Sequence, residues 1–166
     1  KVVNSHLQIY MGDLIMDKMV RNKQDNLNEN YLVVKGNILN DAKFCGKITL
    51  VEYRLLLIAL SKISPLMQRL EYVYFTAKDF CKLLNIKEKG MYSHIREASK
   101  KLASRTITLE DKFKKDGITF SWLHEIKYSE ALIRIKFHPN LENHILKIRK
   151  DGGYTKYYIK NILKLK

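Results

Sequence analysis

The chain has 166 residues, 46% of them apolar and only two of them proline, which is enough for one domain with a real core and excludes a disordered chain. Thirty-one basic against 17 acidic side chains give a net charge of +14, and the excess is uneven: residues 1–74 carry ten basic and seven acidic groups, residues 75–166 carry 21 and ten. No apolar run approaches the ~18 residues a membrane span needs, no secretory signal pattern is present, and Cys45 and Cys81 are too few and too far apart for a disulfide framework or a zinc site, so a cytoplasmic setting is expected. Lysine outnumbers arginine 24 to seven, a mixture that AT-rich codons also produce, which discounts part of the charge signal.

Residues 1–20 place Leu7, Tyr10, Met11, Leu14, Ile15 and Met19 at helical spacing, an amphipathic helix expected to pack on the domain or on a partner subunit. Arg21 to Asn30 reads as a polar linker. Tyr31 to Val34 is a short strand, and Lys35 to Cys45 an irregular or partly helical connection. Thr49 with Glu52 forms a cap pair opening a helix through Leu50, Tyr53, Leu56, Leu57, Leu60 and Ile63, closed by Ser64-Pro65; apolar nearly all round, it should form the core. Leu70 to Phe75 is a second strand candidate.

The most informative stretch follows. Thr76 and Asp79 are a second cap pair, and Ala77, Phe80, Leu83 and Leu84 recur at helical spacing. Asn85 can take the left-handed backbone that ends a helix, and Gly90 frees the next turn. A second helix runs from about Met91 to Ala103 with Met91, Ile95, Ala98 and Leu102 inward, which turns Ser93, Arg96, Glu97, Lys100 and Lys101 outward. Two short helices, a tight turn and a basic outer face on the second make a helix–turn–helix, a shape that fits the DNA major groove. After Arg105 the period becomes alternating: Thr106 to Leu109, Ile118 to Tyr128 and Leu132 to Phe137 are strand candidates. Trp122 and Leu123 are expected to anchor the hairpin; Ile133, Ile135 and Phe137 line one strand face, Arg134 and Lys136 the other. Pro139 to Ile148 reads as a helix with Leu141 and Ile145 inward, broken at Asp151-Gly152-Gly153. The expected fold class is therefore α+β: a winged helix, mainly helical with a small antiparallel sheet.

Candidate DNA-binding residues are Ser93, Arg96, Glu97, Lys100 and Lys101 on the second helix, Arg105 after it, Lys78 on the first, and the cluster Lys112, Lys114 and Lys115 beside Gly117 at the wing tip. The competing reading is a helical pair on a sheet with solvated charges. No catalytic motif is found. His6, His94, His124, His138 and His144 include no pair one residue apart, which removes the metal-binding pair of a rolling-circle nuclease. Gly46-Lys47 lacks phosphate-loop spacing, and no dinucleotide fingerprint, paired-Cys metal site or nucleophile elbow occurs. An enzyme, a cofactor and a metal are not expected.

Five segments in order resemble the iteron-binding plasmid replication initiators: Ile48 to Ser61, Phe75 to Phe80, Ile95 to Leu102 with Ala103 to Ile107, Trp122-Leu123, and Tyr154 to Lys166. The resemblance implies two tandem winged helices. This chain would hold an N-terminal helix and linker over 1–30, the first winged helix over 31–153, and over 154–166 the start of a connection to a second. It further implies binding to double-stranded iteron DNA at a plasmid origin, homodimerisation through the first domain with repression of the initiator's own gene, host replication proteins as partners, and a bacterial cytoplasmic setting without membrane contact. A stand-alone winged-helix repressor, or a dimerisation module with little DNA affinity, are the alternatives.

Overall fold

A computed structural model describes residues 30–36, 39, 43–63, 67–111, 116–129, 132–146 and 153–163. The expected helix over 1–20, its linker, Ser64-Pro65 and the lysine cluster 112–115 lie outside these residues.

Strand β1 (Leu32–Gly36) and the short β2 (Lys43–Phe44) precede helix α1 (Leu50–Ser61). Thr49 and Glu52 form the expected reciprocal cap: the Thr49 hydroxyl accepts the Glu52 amide at 3.3 Å, and the Thr49 amide donates to the Glu52 carboxylate at 3.3 Å. Leu55 through Leu60 are all buried, so α1 has no solvent stripe over those six residues. It packs against β1, against helix α3 (Met91–Ser104) and against helix α5 (Ile159–Leu163).

Strand β3 (Val73–Thr76) runs into α2 (Ala77–Leu84) with no intervening loop. Thr76 accepts the Asp79 amide at 3.0 Å, and Asp79 accepts both the amide and the hydroxyl of Thr76. Asn85 ends α2 at φ 51° and ψ 48°, the left-handed conformation its short polar side chain tolerates. Gly90, at φ 74°, admits the chain to α3. Ile95, Ala98 and Leu102 are buried as the spacing predicts, with Met91 partly so; Ser99 is also buried, its hydroxyl bonded to the Ile95 carbonyl at 2.7 Å.

The strands depart from expectation in number and pairing. β4 (Thr106–Asp111), β5 (Asp116–Ser121), β6 (Leu123–Ser129) and β7 (Leu132–Phe137) follow α3, and β8 (Tyr154–Tyr158) precedes α5. Ile118 to Tyr128 is two strands, not one. Trp122 divides it: this buried residue donates its amide to the Arg105 carbonyl at 3.2 Å, while its own carbonyl accepts the His138 amide at 3.1 Å. The chain thereby leaves one antiparallel sheet, β2-β4-β5, for another, β3-β7-β6. The wing is thus the β4–β5 hairpin widened by β2. Ile133, Ile135 and Phe137 face the core, as the alternation predicts.

The third sheet pairs β1 with β8, Leu32 opposite Tyr158 and Gly36 opposite Tyr154. Residues 154–158, within the stretch expected as the start of a connection to a second winged helix, form a strand paired with β1. With three antiparallel sheets among the described residues, the expectation of a mainly helical domain with a small sheet is not borne out, while α+β stands. Of the helix expected over Pro139 to Ile148, the described residues form a 3-10 turn (Pro139–Leu141) followed by the short α4 (Glu142–Ile145), with Leu141 and Ile145 buried; residues 147 and 148 lie outside them.

Two of these local contacts can be tested directly. Thr76→Ala removes the α2 cap and should lower unfolding stability by about 1 kcal/mol, read from urea midpoints; an unchanged midpoint would mean that β3 alone starts the helix. His138 stacks on Phe120 at 4.8 Å between ring centroids, and its Nδ1 accepts the Asn140 amide at 3.2 Å. Burial, then the neighbouring His124, hold its imidazole below the ordinary 6.5. A folded-state pKa depressed in this way gives stability that is complete above the unfolded value. That stability is lost as pH falls through the folded one, the unfolded chain taking up the proton first. His138→Asn keeps a cap acceptor and should flatten the fall in stability between about pH 7 and about pH 5; an equally steep fall would assign it to other groups.

Candidate nucleic-acid interface

The capped start of α2, the left-handed Asn85 and the left-handed Gly90 fix the turn between α2 and α3. Ile95, Ala98 and Leu102 then fix the rotation of α3 about its own axis. With that face spent on the core, Ser93, Arg96, Glu97, Lys100 and Lys101 are all exposed, and Lys78 is exposed on α2. Spacing alone also places His94 on this face, one turn before Glu97 and two before Lys101, and it too is exposed. The candidates named from the sequence omit it, although the count that selects its neighbours selects it as well.

The groups on α3 are not equivalent. Ser93 Oγ donates to the Gly90 carbonyl at 2.8 Å, closing the first turn. Lys100 Nζ lies 3.0 Å from Glu97 Oε1; the hydrogen bond from Lys100, before any longer-range charge, holds the Glu97 carboxyl below its usual range. Lys101 and Lys78 form no ion pair with a described residue. Arg96 is held from the sheet: its guanidinium carbon lies 4.8 Å from the centre of the Tyr128 ring, and a hydrogen bond to Tyr128 is the largest influence raising its pKa. Tyr128 stands on β6, 32 residues away, so no helical wheel could have found it.

Arg105 sits elsewhere. Its guanidinium turns inward to Glu52 and to backbone carbonyls of residues 45 and 47, so it is engaged within the fold and not presented beside Arg96. Lys112, Lys114 and Lys115 lie outside the described residues.

A second polar group occupies the outer face of β3-β7-β6. The Tyr72 hydroxyl donates to Glu125, Lys127 Nζ lies 3.0 Å from the same carboxylate, and Lys127 and Lys136 each sit 5.5 Å from the Tyr72 ring centre. The hydrogen bond from Tyr72, then that from Lys127, lowers the Glu125 pKa; burial, then Glu125, raises that of Tyr72. These charges are largely answered by one another. No group of three or more metal-ligating side chains occurs among the described residues, and none of their helices is long and apolar enough to cross a membrane.

Residues 32–166, from β1 through the end of the chain, match the family described as initiator replication protein, WH1. The chain belongs to that family. It is similar to a replication initiation protein of Escherichia coli, 21% identical over 134 residues that cover 78% of this chain and 42% of the relative. The chain therefore spans less than half the length of that protein. Among solved structures it is similar to the Pi initiator protein in complex with iteron DNA, with a TM-score of 0.65 and 20% identity over 83% of this chain and 59% of that one. The WH1 domain of a replication protein isolated from a multiple sclerosis patient is 23% identical over 62% of this chain and 82% of that one, with a TM-score of 0.48. The helix–turn–helix followed by a hairpin is thus the architecture of a replication-initiator WH1 domain.

Proposed function

We propose that this chain is the DNA-binding and dimerising domain of a bacterial plasmid replication initiator, one that binds the repeated sites of an origin and represses its own gene. It acts by binding double-stranded DNA and not by catalysis. The observation that carries the reading is the outward face of α3: a 14-residue helix held by three buried apolar residues presents Arg96, Lys100 and Lys101 to solvent at the open side of a helix–turn–helix. A helix so held can enter the major groove while lysines on α2 and the wing meet phosphates. That the Pi initiator was solved with iteron DNA supports the same ligand class.

Arginine can grip a guanine edge with two hydrogen bonds, and Arg96 is already steered by Tyr128; lysine serves as a point charge on phosphate. Arg96→Ala should therefore lower the ratio of origin to scrambled duplex affinity by roughly 5- to 150-fold, and Tyr128→Leu should lower it in the same direction. Lys100→Ala should weaken both duplexes about equally. An unchanged ratio for Arg96→Ala in the complete initiator removes base reading from this helix.

Dimerisation is tested separately. The initiator reading requires association of this domain at micromolar concentration, seen by sedimentation equilibrium without DNA. A monomer up to high micromolar protein would place the repressor dimer's contacts outside this chain.

A further inference from the structure

Arg105 is the single residue between the end of α3 and the start of β4, and hence between the proposed reading helix and the wing. Its side chain nevertheless turns away from both. Nε donates to one oxygen of Glu52 at 3.3 Å, and Nη2 lies 3.2 Å from the same oxygen as an ion pair. Nη2 also donates to the Lys47 carbonyl at 2.7 Å, and Nη1 to that of Cys45 at 3.5 Å. The Glu52 side chain is 0% exposed, that of Arg105 23%. The Glu52 oxygen that takes Arg105 also takes the Thr49 amide and so belongs to the cap of α1.

The backbone around Arg105 is bound in the same place. The Cys45 amide donates to the Thr106 carbonyl at 3.1 Å, extending the β2–β4 pairing, and the Trp122 amide donates to the Arg105 carbonyl at 3.2 Å, just beyond the end of β5. Gly46 lies between the two carbonyls that Arg105 binds. Its φ is +83°, and a Cβ there would stand 2.8 Å from Arg105 Nη1, so a side chain would displace the guanidinium.

We propose that Arg105, held by Glu52 and admitted by Gly46, is a positioning residue that fixes the base of the wing against the reading helix, so that both meet one duplex in register. The functional half of this rests on the DNA-binding reading above. The chemistry favours orientation over bulk stability. A buried ion pair contributes little net stability against an apolar replacement, whereas a planar fork with several fixed donors dictates where each acceptor must sit. Here the acceptors come from α1 and from the connection between β2 and α1. The angle between α3 and the β2-β4-β5 sheet is set by one guanidinium. Lysine carries its donors on one rotating nitrogen and does not reproduce a fork that reaches the three acceptors from three separate nitrogens.

The test uses the whole chain as wild type, Arg105→Lys, Arg105→Met, Gly46→Ala, and Ile145→Val as a mild core control away from the wing. Amide hydrogen exchange should rise roughly tenfold or more in β4 and β5 of the Arg105 and Gly46 variants, while α1 and β3-β7-β6 keep their protection. Ile145→Val should not give this pattern. With origin duplex, the slope of log affinity against log salt should shrink by about 0.9 for each phosphate that the wing no longer neutralises, while Arg96→Ala still lowers the origin-to-scrambled ratio in the Arg105→Lys background. Exchange that rises evenly over all elements, or not at all, overturns the proposal, as does weaker DNA binding with the wing's exchange unchanged, which would make Arg105 a direct DNA ligand. A wild-type chain that binds no duplex overturns the DNA reading instead, and the exchange pattern still decides whether the clamp exists.

Discussion

A helix without a polar side must be covered on every side, and α1 imposes that demand on the rest of this fold. Leu55, Leu56, Leu57, Ile58, Ala59 and Leu60 are consecutive and all buried. No single sheet or helix could cover them, so α3, β1 and α5 come from distant parts of the chain to do so. The pairing of β1 with β8 has the same cause: once β1 lies on α1, a strand 122 positions later closes beside it and delivers Ile159 into the same core. Glu52, in the first turn of that helix, is the one charged side chain buried among the described residues. Its site is made tolerable by the Thr49 amide and by Arg105.

Helices are legible in the sequence because their signals are local. Cap pairs at Thr49 with Glu52 and at Thr76 with Asp79, the left-handed Asn85, and the inward series Ile95, Ala98, Leu102 each require only a few neighbouring residues, and each stands as the spacing indicates. Strand extents are less legible. The alternation from Ile118 to Tyr128 slips at Trp122-Leu123, and nothing local shows that Trp122 gives its amide to one sheet and its carbonyl to another. The β1–β8 pair is invisible for the same reason, since pairing across the whole domain leaves no short-range signature.

The candidate site divides along the same line. Which side of α3 faces outward can be read from the wheel, and His94 belongs to it by the same count. That Tyr128 holds Arg96 cannot, because the contact joins two elements. The partner of Arg105 is hidden for a related reason: charge appears in a sequence without its partner, and Glu52 lies 53 positions away.

Burial separates the cations that a polyanion can recruit from those it cannot. Lys100 and Glu97 form an exposed pair one turn apart, an interaction weak in water and easily exchanged for a phosphate oxygen. Lys101 and Lys78 face solvent without an ionic partner among the described residues. Lys127 is tied to Glu125 and the Tyr72 ring, and Arg105 to a carboxylate with no solvent exposure. Drawing Arg105 out to a phosphate would leave Glu52 charged and stripped of its counter-ion inside the core, which is costly. The net charge of +14 therefore overstates what this domain can offer to DNA. Among the described residues the outer side of α3 carries the exposed cations Arg96, Lys100 and Lys101, and its direction is set by Ile95, Ala98 and Leu102, which are buried.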